Sequence, residues 1–167
     1  FNPAVRAATS ENAFVEYILS GQPEPPMYFA RMKRDNKIGP RVIGHVPTIP
    51  HLGADTIGAL GGRTDVAVLD TRGRKAFLAA HLPKSLLCEL DYQFTNIAGS
   101  YVSEGEPIYL IIDEDRVDQA VRELIRIGLD DIRGYITPAE LDQYLRSSGQ
   151  SSHIESISME TLESRRI

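Results

Sequence analysis

The stretch from Val66 to Ser85 restricts the fold more than any other part of this chain. Val66-Ala67-Val68-Leu69 is a β-branched and aliphatic run, and it ends abruptly in Asp70-Thr71-Arg72. An amphipathic segment follows around Phe77, and then His81-Leu82-Pro83. This order predicts a strand, a turn, a helix and a second approach to a sheet. A parallel neighbour can be reached only through a crossover of this kind, so the stretch points to an α/β sheet rather than to hairpins.

The same alternation continues on both sides. Leu52, Ile57 and Leu60 mark a short helix stopped by Gly61-Gly62, and Arg74–Ala80 reads as a second helix. Ser85–Leu90 is predicted as a strand, and Ile97–Val102 as a helical or irregular stretch. Ile108-Tyr109-Leu110-Ile111-Ile112 is a continuous apolar run, the pattern of a strand buried on both faces. Val117, Val121, Leu124 and Ile125 recur at helical spacing up to Gly128, and residues 131–136 form the next strand. Thr137-Pro138-Ala139-Glu140 is a capping box with proline at the first helical position. The expectation is a three-layer α/β fold with a central, mostly parallel sheet of about five strands flanked by helices.

Outside this unit, Thr9 or Ser10 can cap a helix carrying Phe14, Tyr17 and Ile18, ended by Gly21. Gln22-Pro23-Glu24-Pro25-Pro26 breaks the chain rigidly, and Pro26 suits the start of a helix through Asn36. Two such helices bury too little to fold alone, so this arm must pack on something. Arg31, Lys33, Arg34 and Lys37 on the second helix read as a solvated face. Residues 44–50, with Pro47 and Pro50, read as a linker, and so does Ser147-Ser148-Gly149-Gln150-Ser151-Ser152. Beyond it, Ile154, Ile157 and Leu162 resemble the pattern of Leu52, Ile57 and Leu60. The boundaries fall at 1–46 for the arm and its linker, 47–149 for the α/β domain, and 150–167 for a linker leading into a further domain.

The 167 residues give room for one cored domain plus tails. The chain starts at Phe1 with neither an initiator Met nor a secretion signal, which reads as a piece of a longer protein. A formal net charge of −5 argues against a nucleic-acid binder, and no apolar run is long enough for a membrane span. Cys88 is the one cysteine, which removes internal disulfides and thiolate zinc sites and favours a reducing, cytoplasmic setting. His45, His51 and His153 lie in or near linkers without metal-ligand spacing.

Asp70, Arg72, His81 and Pro83 together resemble the signature of rhodanese-like domains, an Asp-x-Arg followed by His-aliphatic-Pro. Ala80 and Lys84 stand where that family usually has glycine. Asn2-Pro3-Ala4-Val5-Arg6, Gly21–Pro26 and Tyr28–Lys33 are similar to the final segment of a metallo-β-lactamase-fold hydrolase. In particular they resemble bacterial fusions in which that domain precedes two rhodanese-like domains. Phe94, Ile97-Ala98-Gly99, Arg126–Leu129 and Gly134-Tyr135 fit the first of those two. The resemblance implies a parent protein with metal-dependent hydrolase or persulfide dioxygenase chemistry beside a sulfurtransferase domain. It also implies neighbouring domains of the same polypeptide, or a second copy in a homodimer, as the partners.

The family's sulfur-carrying cysteine would follow the fourth strand and open a loop into a helix. Here that position falls on Ile112 counted from the strand, or on Ile111 counted back from the helix. The loop continues as Asp113-Glu114-Asp115-Arg116, whose carboxylates would repel an anionic sulfur donor. It reads as a solvated turn leading the next helix, acids being favoured there. A metal site on Asp113 and Asp115 is the other reading, though it lacks the further ligands of a calcium loop. Cys88 sits in a strand-like apolar run upstream and reads as packing. The expectation is a non-catalytic structural or interaction module with no cofactor of its own. The alternatives are a regulatory domain binding a small anion or peptide, and a cysteine-independent, metal-assisted enzyme.

Overall fold

The computed structural model describes residues 3–7, 9–22, 24–148 and 150–165. Helices α1 (Pro3–Ala7), α2 (Glu11–Leu19) and α3 (Tyr28–Ile38) form the arm. Helix α4 (Ala54–Leu60), strand β1 (Ala67–Asp70), helix α5 (Arg74–Ala79), strand β2 (Leu86–Leu87) and helix α6 (Phe94–Tyr101) open the domain. Strand β3 (Ile108–Ile111), a 3₁₀ turn at Glu114–Arg116, helix α7 (Val117–Arg126), strand β4 (Ile132–Ile136) and helix α8 (Pro138–Ser148) complete it. Helix α9 (Met159–Ser164) lies in the tail. No helix among the described residues is long and apolar enough to cross a membrane.

The sheet is parallel, with strand order β2-β1-β3-β4. Its two faces follow from the period of two along each strand, except in β4, where the register shifts past Arg133 and so puts Ile132 and Ile136 on opposite faces. Leu69, Ile108, Leu110 and Ile132 point to one side, where Phe94 and Ala98 of α6 and Val121 and Leu124 of α7 close the core. Val68, Ile111 and Ile136 point to the other, against Ile57 and Leu60 of α4 and Leu141 of α8. Helices on both faces make the three layers expected.

The four strands are joined at the β4 edge by a single parallel bridge from His51 to Tyr135. Tyr135 N–H donates to the Pro50 carbonyl at 3.0 Å, and Leu52 N–H to the Tyr135 carbonyl at 2.8 Å. Gly134 permits this approach: a Cβ there would sit 2.8 Å from the Pro50 oxygen and from Leu52 Cγ. Residues 44–50 therefore do not behave as a free linker at their end, and Ile49 is buried in the core. Ser85–Leu90 yields only the two residues of β2. Beyond Cys88 N–H, which still donates to the Asp70 carbonyl at 2.9 Å, Asp91 turns the chain by accepting from Gln93 N–H.

The capping box is realised. Thr137 N–H donates to Glu140 Oε2 at 2.9 Å, and Glu140 N–H donates to Thr137 Oγ1 at 3.3 Å. Helix α8 runs on through Ser148, so Ser147 and Ser148 are helical rather than linker; Gly149 lies outside the described residues. The following segment is tied down as well. His81 and Ser152 exchange two backbone hydrogen bonds of 2.9 Å, and Ile154 N–H donates to the Leu78 carbonyl.

The arm packs on the domain through α3. Tyr28 and Met32 lie against the α6–α7 core, while α2 buries no residue. The four basic residues of α3 are not one solvated face. Lys33, Arg34 and Lys37 are exposed as expected, but Arg31 is buried and gives both Nε and Nη2 to the Ile127 carbonyl, at 3.1 and 2.7 Å. Arg34 pairs with both oxygens of Glu104, at 3.0 and 2.7 Å.

Candidate functional site: the carboxyl end of the sheet

In open α/β sheets, ligands bind beyond the carboxyl ends of the strands. Here that end gathers the signature residues. Asp70 is the last residue of β1 and is fully buried. Its carboxylate accepts the Arg72 backbone N–H at 3.1 Å, Arg72 Nε at 3.0 Å and Arg72 Nη2 at 2.8 Å. The same Nη2 donates to the Ala80 carbonyl at 2.8 Å, and Nη1 reaches Asp142 of α8 at 2.8 Å. One guanidinium thus fastens the end of β1, the end of α5 and a helix from the far layer. With the Arg72 side chain 8% exposed and Asp70 at 0%, its donors are spent on structure.

His81 belongs to the same assembly. Its ring stacks on Phe77 with centroids 4.0 Å apart and an 8° interplanar angle, and Nδ1–H donates to the Phe77 carbonyl at 2.7 Å. Pro83 leads into Lys84, the one non-glycine residue with positive φ (70°) among the described residues. A side chain is strained there.

Asp70 and Ile111 are register partners, so the sheet brings the signature and the candidate loop side by side. Thr71 clamps the junction, its N–H and Oγ1 both donating to the Ile111 carbonyl, at 3.0 and 2.8 Å. Ile111 and Ile112 are buried, and Ile112 N–H extends the ladder to the Ile136 carbonyl at 3.0 Å. Neither side chain can act as a nucleophile. Asp113, Glu114, Asp115 and Arg116 are all exposed. Arg116 folds back to donate to the Leu90 carbonyl and Gln119, both at 3.0 Å. The loop is a 3₁₀ turn entering α7, as an acidic helix start favours. Burial and then the charge of Glu114 raise the pKa of the Tyr135 phenol.

Cys88 is fully buried, with Sγ 3.5 Å from the Phe94 carbonyl. Burial pushes its thiol up to about 12. Among the described residues no three or more His, Cys, Asp or Glu side chains converge as a metal site. His51, however, meets Glu140 at 2.9 Å, a contact between residues 89 apart that no local pattern signals.

The parallel sheet, the flanking helices and the signature at the end of β1 define a rhodanese-like α/β fold. No family model and no curated protein matches the sequence. Among solved structures, a metallo-β-lactamase from Staphylococcus aureus subsp. aureus COL is similar at 30% identity and a TM-score of 0.65. The similarity covers 78% of this chain and 36% of that one, so this chain spans about a third of that protein. A rhodanese-like domain from an Anabaena sp. protein shares the fold, with a TM-score of 0.50 at 20% identity, over 71% of this chain and 84% of that domain.

Proposed function

We propose that this chain is a non-catalytic rhodanese-like module of a larger metallo-β-lactamase-type protein in sulfur metabolism. It holds a metal-dependent hydrolase or dioxygenase domain in place relative to a sulfurtransferase domain. The likeness to the staphylococcal metallo-β-lactamase, of which this chain spans about a third, supports the multidomain setting. Neighbouring domains of the same polypeptide, or a second copy, are the partners in this reading, and the cytoplasm is its setting.

One observation carries the loss of chemistry. Sulfur transfer through a persulfide needs a thiolate held by backbone N–H groups at the mouth of a loop. Here Ile111 at the end of β3 and Ile112 just after it are both buried, and an exposed acidic turn follows. The one thiol lies inside the core, where burial pushes its pKa up to about 12, so it stays protonated at neutral pH. The Asp70–Arg72–Ala80 network then serves as scaffold, keeping the carboxyl end of the sheet rigid without a reacting group.

The test is thiocyanate formation from thiosulfate and cyanide, with mass spectrometry for an added sulfur atom on Cys88. No turnover and no adduct are expected. Turnover that disappears in Cys88→Ser would overturn the proposal.

A further inference from the structure

Arg31, the one buried member of the basic cluster on α3, lines a cavity away from Asp70 and Arg72. It lies between α3, the coil that follows it and the carboxyl end of α7, and measures about 670 Å³. Small-molecule sites span roughly 300–1,000 Å³ and favour the seams between packed units. Arginines from four separate stretches line it: Arg31 and Arg34 of α3, Arg41, Arg126 of α7 and Arg133 of β4.

The carboxylates in the wall are already taken. Arg34 holds Asp35 and Glu104, Arg41 holds Asp130 at 3.2 Å, and Arg133 holds Asp131. Arg31 and Arg126 are left over, with no carboxylate within 4.0 Å among the described residues. Arg31 is 7% exposed, and its only described partner is the neutral Ile127 carbonyl, bound through Nε and Nη2. Of five guanidinium N–H donors, the Nη1 edge has no described acceptor. No fully buried side-chain nitrogen lacks a partner among the described residues, so this edge is not sealed in the core but open to the cavity that Arg31 lines. Both residues also suit the negative end of the α7 dipole, which explains their position but leaves the cavity and its open donor edge unused.

We propose that this cavity binds a small molecule bearing one or two oxyanion groups, phosphate or carboxylate. Arg31 and Arg126 grip the oxyanion through their planar forks, and Arg133 stands beside them in the wall. A ligand seated there joins α3 to the domain and so strengthens the docking of the arm.

Calorimetric titration and thermal unfolding of the whole chain at low ionic strength test this, with inorganic pyrophosphate and citrate as separate probes. Saturable binding that raises Tm and weakens with added salt is expected for at least one of them. Binding of pyrophosphate alone assigns the site to phosphates, and binding of citrate alone to carboxylates; either supports the site. Arg126 is exposed and without a described partner, so Arg126→Gln should fold normally and weaken binding about tenfold. Arg31→Lys keeps the charge but loses the fork and should weaken it similarly, while Arg74→Gln on α5 should change nothing. No saturable binding of either probe up to about 10 mM, or unchanged affinity in Arg126→Gln, would overturn the proposal and leave both arginines to the end of α7.

Discussion

Gly99 tests whether the arm is part of the folded domain. It lies in α6 with the ring of Tyr28 directly over it: a Cβ on Gly99 would stand 2.7 Å from Tyr28 Cγ and 3.0 Å from Cε1. Two effects of Gly99→Ala then oppose each other. Alanine in a helix interior is worth about 1 kcal/mol over glycine. Carbon atoms pack best at about 3.5–4.0 Å, so the ring must retreat by roughly an ångström. Cγ is the rigid root of the side chain, so α3 moves with it, against the Arg31 and Arg34 bonds. Overpacking of this kind costs about 1–3 kcal/mol. The net expectation is a loss of about 1 kcal/mol in urea unfolding, read as a lower midpoint at unchanged slope. In a Tyr28→Ala background the clash is gone, and the same substitution should stabilise by about 0.5–1 kcal/mol. The sign reverses, and the double-mutant cycle returns a coupling of about 2 kcal/mol. A coupling below about 0.5 kcal/mol, or stabilisation by Gly99→Ala with Tyr28 present, would refute the docking of α3.

Three further outcomes follow from the site. Arg72→Met leaves the fully buried Asp70 without its cation and should cost about 3–5 kcal/mol by denaturant unfolding, since half of a buried ion pair is worse than none. Cys88 should resist a disulfide thiol reagent at pH 8 in the native chain and react fully in denaturant. An unfolded thiol ionises from about 9.0 and the folded one only near 12, so stability should fall as pH rises across that window. Burial works against the charge of Glu140, but the Thr137 and His51 hydrogen bonds outweigh it and hold its carboxyl below the ordinary 4.5. The stability this carboxylate adds is present above pH 4.5 and lost as pH falls below it, and Glu140→Gln should flatten that acid limb of the unfolding profile.

The parts of this fold that were legible in the sequence are those whose signal is local. β1 and β3 are unbroken apolar runs because both faces of a parallel sheet are covered, and the Thr137 capping box writes its own helix start. Ser85–Leu90 misleads because an apolar run fixes burial but not partner: Leu86 and Leu87 have β1 beside them, while Asp91 ends the extension. The site was legible in Asp70, Arg72 and His81, but Asp142 as the fourth corner and the His51–Glu140 contact join residues 70 and 89 apart. Arg31 had a readable sign, since Tyr28, Arg31 and Met32 share one helical face. Two apolar neighbours at that spacing mark a buried stripe, and a charge on it is a charge turned inward.

The bridge between His51 and Tyr135 also covers one margin of the sheet. The open margin of a sheet is a template on which foreign strands can grow. At one margin β2 offers two residues, too few to seed such growth. At the other, Pro50 and Leu52 occupy the main-chain groups of Tyr135, and Pro47 and Pro50 bring no N–H to extend the ladder outward. A short proline-bearing stretch thus acts as a guard rail. Cutting the chain just after it would leave the N–H and C=O of Tyr135 bare and turn a self-limited sheet into one prone to strand-to-strand aggregation.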